Sequence, residues 1–394
     1  MRVEEKKIKV KRVSSMKKSA VGIITFHCCD NYGAMLQAYG LKMYLRRQGI
    51  WADLVPYEPF FMVGRNWLIP YAPVGSVYES LKYSCWGLWS HLKMGRDFIR
   101  MKTNMKCFRE KYLVERKRRK LRRPGRMSKL EYQYYIVGSD QIWNPDITFG
   151  LRKAYFGGFK NSHKKKVIAY AASLGGSSLS PKYDNDFSKL LSYIDGISVR
   201  EREASVYVER CCGKIPAVVL DPVFLLSKES WSGLEVFPEN VNYILVYQTE
   251  ENEEMMAYVR TLSEETGLQV IELRCSYRSG EKAFSVDYTA GPAEFLGYIH
   301  NAEYIITNSF HAVAFSIIYE KRFAAFLHSN RGTRIRNILE LCDLSDRLYQ
   351  AGAPLEIDRD IMWKNVKKNL KAEIKYAEDF LRKNLDGMKG RYGT

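Results

Sequence analysis

The sequence predicts an α/β protein of two Rossmann-like domains facing each other across a cleft. Three observations carry this expectation. A chain of 394 residues exceeds one ordinary core and favours two domains. Short β-branched and aromatic runs alternate with apolar segments of helical spacing in both halves of the chain. A strand, a polar turn and a helix start then recur, most clearly where Tyr304 to Thr307 meets Asn308-Ser309-Phe310-His311. In open α/β sheets ligands bind beyond the carboxyl ends of the strands, where the next helix presents backbone N–H groups and its positive dipole end.

The expected elements follow in chain order. Residues 1–20 form a basic leader with eight Lys or Arg against two Glu. Val21 to Phe26 reads as the first strand, His27 to Gly33 as its loop, and Ala34 to Arg47 as a helix with apolar residues at helical spacing. Trp51 to Pro56 is a second strand. Residues 60–130 leave the alternation: Val77 to Met94 is amphipathic and aromatic, and it is expected to pack on its own domain, since aromatic stripes are most often core. A helix lying on a membrane interface is the alternative. Strands resume at Tyr134 to Gly138, Val167 to Ala172, Ile197 to Val199 and Val218 to Leu220.

Ser, Gly, Pro and Asn accumulate between 227 and 240, which divides the chain into domains at 21–230 and 231–394. The second half offers strands at Tyr243 to Tyr247, Val270 to Leu273, Tyr304 to Thr307 and Phe323 to Leu327. Its helices fall at Glu253 to Thr266, Ala293 to Ala302 and, long and charged, Lys364 to Leu385.

A formal charge of +18 points to anionic partners. It concentrates in the leader and in Glu115 to Lys129, where Lys and Arg dominate. The eight cysteines include no C-x-x-C, so neither a zinc site nor a disulfide framework is indicated, and buried reduced thiols are expected. No stretch has the length and apolarity of a membrane span and no signal-peptide core precedes the first strand, so the expected location is the cytoplasm, with peripheral contact at the inner membrane face. Walker A, G-x-G-x-x-G after a strand, H-E-x-x-H and G-x-S-x-G are all missing, which removes the commonest nucleotide, zinc-peptidase and serine-hydrolase readings.

Several loops together resemble the polysaccharide pyruvyl transferase family. They are DNYGAMLQAYGLKMYL from Asp30, VGSDQIWN from Val137, AYAASLG, ISVRERE, LDPVFLL, and SFHAVAFSIIYEKRF with NRGTRIRNILELCDLSDR behind it, in the family's order over most of 21–347. SDQIWN and TNSFH are the most specific. One departure is Arg322, where the family commonly has proline. The resemblance implies a GT-B-like fold and transfer of a pyruvyl group from phosphoenolpyruvate to two hydroxyls of a sugar, giving a pyruvate ketal and phosphate. The resemblance thus implies phosphoenolpyruvate and a sugar acceptor as partners; the basic stretches add a lipid-linked oligosaccharide acceptor and peripheral contact with an anionic membrane as expectations, and no nucleic acid, cofactor or metal is expected. A sugar-nucleotide-dependent glycosyltransferase and a non-catalytic anion-binding or membrane-associated protein stand as alternatives.

With that reading, His311 is the expected general acid, protonating the donor's methylene carbon and becoming charged mainly when the anionic donor binds. Arg200, Asn308, Ser309, Lys321 and Arg334 are expected to hold the donor: guanidinium forks suit carboxylate and phosphate, and a helix start suits an anion. Arg331, Arg336 and Arg347 are weaker candidates, since basic residues near helix ends are common without a ligand. On the acceptor side, Trp143 offers a face for a sugar ring, Asp140, Gln141 and Asn144 offer hydrogen bonds, and Asp140 a base for the attacking hydroxyl. Trp143 as core and Asp140 as a turn cap are equally weighted alternatives. Asn31, Gly33 and Gln37 fall on the first loop and helix and are expected on the acceptor side, with a positive φ as the alternative reason for Gly33; His27 stands at that loop's start.

Overall fold

The computed structural model describes residues 21–386 except 74, 115–118, 160–164, 240–241, 278–283, 330–331 and 353–354. The basic leader, the start of the second basic run and Arg331 therefore lie outside the described residues. Two all-parallel sheets form. The first contains β1 (Val21–Ile24), β2 (Ala52–Leu54), β3 (Tyr134–Val137), β4 (Lys166–Ala172), β5 (Gly196–Val199) and β6 (Ala217–Val218), in the order β2-β1-β3-β4-β5-β6. The second contains β7 (Ile244–Tyr247), β8 (Val270–Leu273), β9 (Ser285–Asp287), β10 (Tyr304–Thr307) and β11 (Arg322–Ala325), in the order β11-β10-β7-β8-β9. The expected two-sheet α/β class is the observed one. Only β9 has no counterpart in the reading: it is a three-residue edge strand, Ser-Val-Asp, with no apolar run to betray it.

The strands read as unbroken apolar runs because parallel sheets are covered on both faces. Ile23 and Ile136 of the first sheet share one continuous apolar cluster with Ile305 and Phe323 of the second. Ile24 and Val137 join a separate cluster on the first sheet's other face.

Helix α1 (Tyr32–Arg47) is capped by Asn31, whose side chain accepts from Ala34 N at 2.9 Å, and it ends in Arg46 and Arg47, favourable at the negative end of its dipole. It is buried on nearly every side because it lies between the two sheets: the Tyr32 ring stacks on Phe295 at 4.8 Å and meets Tyr247 at 5.4 Å.

The segment after β2 carries α2 (Val77–Met94) and α3 (Arg96–Phe108). Helix α3 buries Phe98, Met101, Met105 and Phe108. Helix α2 overturns the expectation that its aromatic stripe is core, for it buries only Gly87, Ser90 and Met94 and leaves Trp86 and Trp89 exposed. The second half adds α4 (Pro292–Asn301), α5 (Phe310–Tyr319), α6 (Thr333–Leu341) and α7 (Trp363–Asn384). Helix α7 returns to the first sheet, where Phe380 faces Tyr170 at 6.4 Å and Asn384 fills the space beside Gly196. All eight cysteines are free, as thiols, but only Cys28 and Cys342 are buried; Cys85 and Cys107 are exposed, because they sit on the outward sides of α2 and α3.

Candidate active site

The carboxyl ends of both sheets point at one cavity of ≈ 330 Å³. From the first sheet, Asn31 and Gly33 follow β1, while Asp140 and Gln141 follow β3. From the second, Thr249 follows β7, Asn308 to His311 follow β10, and His328 follows β11; Arg334 comes from α6 and Arg65 from the segment after β2. Parallel strands direct every such loop to the same edge, so residues far apart in sequence meet there.

His311 lies in the first turn of α5 and Gly33 in the first turn of α1. A Cβ on Gly33 would fall on the His311 imidazole, 2.6 Å from Cε1 and closer still to Nδ1. The helix starts of the two domains thus touch. Gly33 is not among the positive-φ residues, so the absence of a side chain here serves a close approach, not a special backbone conformation.

On the other side of the ring, Nε2 is 3.7 Å from Asp221 Oδ2, an ion-pair distance that is too long for a hydrogen bond. Asp221 is buried, accepts from Val223 N at 3.1 Å, and receives Arg200 Nη1 on Oδ2. Burial by itself would push its carboxyl up, but the contacts with His311 and the Arg200 guanidinium outweigh that and hold it well below the usual carboxylate range. Asp221 was legible in the sequence only as the Asp before Pro222; its role as counter-ion to two site residues required the fold. It also alters the charge balance expected at His311, because a carboxylate already faces the ring before any donor arrives.

Arg200 is buried among carboxylates. Besides Asp221, its Nη2 lies 4.0 Å from Asp140 Oδ1 and its Nε 3.6 Å from Glu201 Oε1, with the guanidinium 5.0 Å over the Phe310 ring. It stands behind Phe310 instead of lining the main cavity, and so links Asp140 to the Asp221–His311 pair. Asp140 has φ 68, a conformation Asp tolerates, and its Oδ1 also accepts from Gln141 N at 2.8 Å.

The remaining expected residues divide sharply. Ser309, the N-cap residue of α5, makes no capping hydrogen bond with its side chain, and the first intrahelical bond runs from Val313 N to Ser309 O; the N–H groups of the first turn therefore precede it at the cavity wall. Asn308 lines the cavity, but its side chain ties two loops: Oδ1 accepts from Thr249 N at 2.7 Å and Nδ2 donates to Glu250 O at 2.7 Å. Arg334 lines the cavity with its guanidinium 5.7 Å from the Phe310 ring.

Lys321 is misplaced in the sequence reading. It sits past the far end of α5, donates to His300 O at 2.9 Å and precedes β11, at the opposite edge of the sheet. A helix of ten residues separates it from His311, about 15 Å of rise. Trp143 is likewise no sugar platform: it is fully buried, stacks on Phe156 at 5.3 Å and donates Nε1–H to Tyr155 O. Gln37 is fully buried as well, bridging Thr25 Oγ1 and Ala34 O, and Asn144 caps the short helix that starts at Pro145 while donating to Gln141 Oε1. These three position the loops from behind. His27 is buried on Thr25 O, Arg347 donates to the carbonyls of residues 357 and 359, and Arg336 is exposed outside the cavity.

Sequence reasoning missed Arg65, Thr249 and His328. Arg65 donates to Ile147 O and lies 4.8 Å over the Phe149 ring; His328 Nδ1 is 3.3 Å from Glu250 Oε2. None stands in a motif, and Arg65 belongs to the 60–130 region, which contributes little to the resemblance.

Two domains with parallel sheets and a site at their facing carboxyl edges define a GT-B-like α/β protein. The sequence matches the polysaccharide pyruvyl transferase family over residues 31–330, and the chain belongs to that family, a transferase family of polysaccharide biosynthesis. Solved structures that the chain resembles include a UDP-N-acetylglucosamine 2-epimerase at TM-score 0.50 and 10% identity, covering 96% of this chain and 99% of that one. Another is a putative UDP-N-acetylglucosamine 2-epimerase from Listeria monocytogenes at TM-score 0.44 and 12% identity, covering 96% and 93%. A third is the E. coli heptosyltransferase WaaC with ADP-2-deoxy-2-fluoro heptose, at TM-score 0.36 and 11% identity, covering 89% and 99%. At such identities the first speaks for the fold alone. Comparison with curated proteins gave no match.

Proposed function

We propose that this protein transfers a pyruvyl group from phosphoenolpyruvate to two hydroxyls of a sugar in a polysaccharide or its precursor, forming a pyruvate ketal and releasing phosphate. The observation that carries the reading is His311 at the start of α5, held between Gly33 and Asp221 inside a cavity that both domains build.

Ser309, the first-turn N–H groups of α5 and Arg334 hold the donor's carboxylate and phosphate, with Arg65 and His328 adding positive or polar edges. Arg200, already engaged with Asp221, orients Asp221 and Asp140 instead of gripping the donor directly. Imidazolium at His311 gives its proton to the methylene carbon, which becomes the methyl group and leaves the central carbon electrophilic. The first sugar hydroxyl attacks that carbon and passes its proton to Asp140. Phosphate then departs, the second hydroxyl closes the ketal, and the two hydroxyl protons restore His311 and complete the hydrogenphosphate. Asn31 and Gln141 face the acceptor, and the site of action is the cytoplasm.

The decisive measurement is phosphate release from phosphoenolpyruvate with and without a sugar acceptor. Acceptor-dependent release, reduced about 10²–10⁴-fold by His311→Gln, is expected. Full turnover in that variant removes His311 as the acid, and stabilisation by a sugar nucleotide but not by phosphoenolpyruvate replaces the donor.

A further inference from the structure

Helix α2 is turned inside out relative to an ordinary amphipathic surface helix. Its inward side carries Gly87, closed against Pro70, Ser90, which accepts from Tyr277 N at 2.8 Å, and Met94. Its outward side carries Tyr78, Leu81, Cys85, Trp89 and Leu92, spaced so that they fall on one helical face. Tyr78 is 74% exposed, Leu81 60% and Leu92 68%. Lys82 and Lys93 stand beside this stripe, both exposed, with Lys93 Nζ 5.9 Å from the Trp89 ring. The adjoining loop adds exposed Trp67, Leu68 and Ile69, and it is fixed to the helix by Leu68 O and His91 Nδ1 at 2.8 Å.

We propose that the outward face of α2 docks on an anionic phospholipid bilayer, lying in the plane of the interface. Three features select a bilayer. An apolar stripe edged by lysines matches a surface that is apolar below and anionic at the headgroups, where lysine stems run along the apolar layer and their ammonium groups reach the phosphates. From residue 77 to 111 the chain carries eight Lys or Arg against three acids, which suits a negative surface potential. A twofold interface between copies would set this lysine-edged face against itself, an unfavourable like-charge pairing. Among the described residues no helix is long and apolar enough to cross a membrane, so the contact is peripheral.

The placement has a consequence for the cleft. The segment that leads into α2 also supplies Met62 and Arg65 to the cavity wall, and behind it Lys102 of α3 and Arg109 just past its end clamp the β1 loop through Asp30. Docking through α2 therefore brings the acceptor side of the cleft to the membrane, where a lipid-linked acceptor resides. That consequence rests on the proposed transfer reaction; the docking itself does not.

The test is sedimentation of the full chain with vesicles of phosphatidylglycerol and phosphatidylcholine, compared with phosphatidylcholine alone. Binding to the anionic vesicles is expected, with about a tenfold or greater loss of affinity in Leu81→Glu/Leu92→Glu and a clear loss in Lys82→Gln/Lys93→Gln. Both leucines lie outside the buried core, so an unchanged far-UV spectrum should accompany the loss. Native chain that stays in the supernatant overturns the proposal, as does a double-leucine variant that sediments like the native chain. So does a dimer in analytical ultracentrifugation that this variant splits while vesicle binding is nil. None of these readouts needs donor or turnover, so they stand apart from the pyruvyl-transfer assay.

Discussion

At the scale of single residues, the site is governed by what lies one contact behind it. Asp221 faces His311 and Arg200 together, and removing one member of such a buried set leaves a charge without its partner. His27 shows the same low-dielectric environment from the opposite direction. Fully buried, with its Nδ1 on Thr25 O, it is pushed by burial to a pKa of about 4, against the raising influence of Glu58. The folded state therefore resists a proton that the unfolded chain accepts at its ordinary pKa. Above about pH 6.5 His27 has no effect on stability; between about 6.5 and 4 the unfolded chain takes up a proton that the folded one refuses, and stability falls, by roughly 3 kcal/mol in all. Melting temperatures of the native chain and His27→Gln, measured from pH 7.5 to 4, should diverge in that window, with the native chain losing more. Parallel curves would remove His27 as the cause.

At the scale of elements, two helix starts meet at the wall of the cavity. Asn31 caps α1 and Ser309 opens α5, and both were legible as polar residues between a strand and an apolar helix. That the two starts touch was not, because nothing local in DNYGA or TNSFHA encodes a partner in the other domain. Their contact makes Gly33→Ala a sharp probe. The backbone there is helical and alanine is a good helix former, so α1 itself should be unharmed or slightly strengthened. The added Cβ must displace the His311 ring, and if His311 is the acid of the proposed transfer a displacement of this size should reduce turnover by about 10²-fold. Donor-dependent phosphate release at unchanged helix content is the measurement; a fully active Gly33→Ala would show that the ring can move without consequence. Helix α2 marks the reverse failure: its aromatic periodicity was plain, but periodicity does not say which face is buried.

At the scale of the whole molecule, the two sheets share a core. The cluster that joins Ile23 to Ile305 also holds Phe295 and Leu381, and α7 closes the chain back on the first sheet. Two domains coupled through buried apolar contacts should unfold together, so a single calorimetric transition is expected, with enthalpy matching its van't Hoff value. Phe295→Ala, which removes the ring on which Tyr32 stacks, should lower stability by about 3–5 kcal/mol, read as a lower melting temperature in the same calorimetric scan. Two resolved transitions in the native chain would contradict the shared core.

The sequence by itself determined the alternation of strands and helices, the two-sheet class, the loops that bear His311, Asp140 and Asn31, and the family, because hydrophobic period, turn chemistry and motif order are local properties of the chain. The tertiary structure alone decided which of those loops meet. It set Gly33 against His311, gave His311 and Arg200 a common counter-ion in Asp221, drew Trp143 and Gln37 into the core, carried Lys321 to the far edge of its sheet and turned the apolar face of α2 outward. Each is a relation between elements distant in sequence, fixed by which surfaces the packed sheets leave open and which they cover.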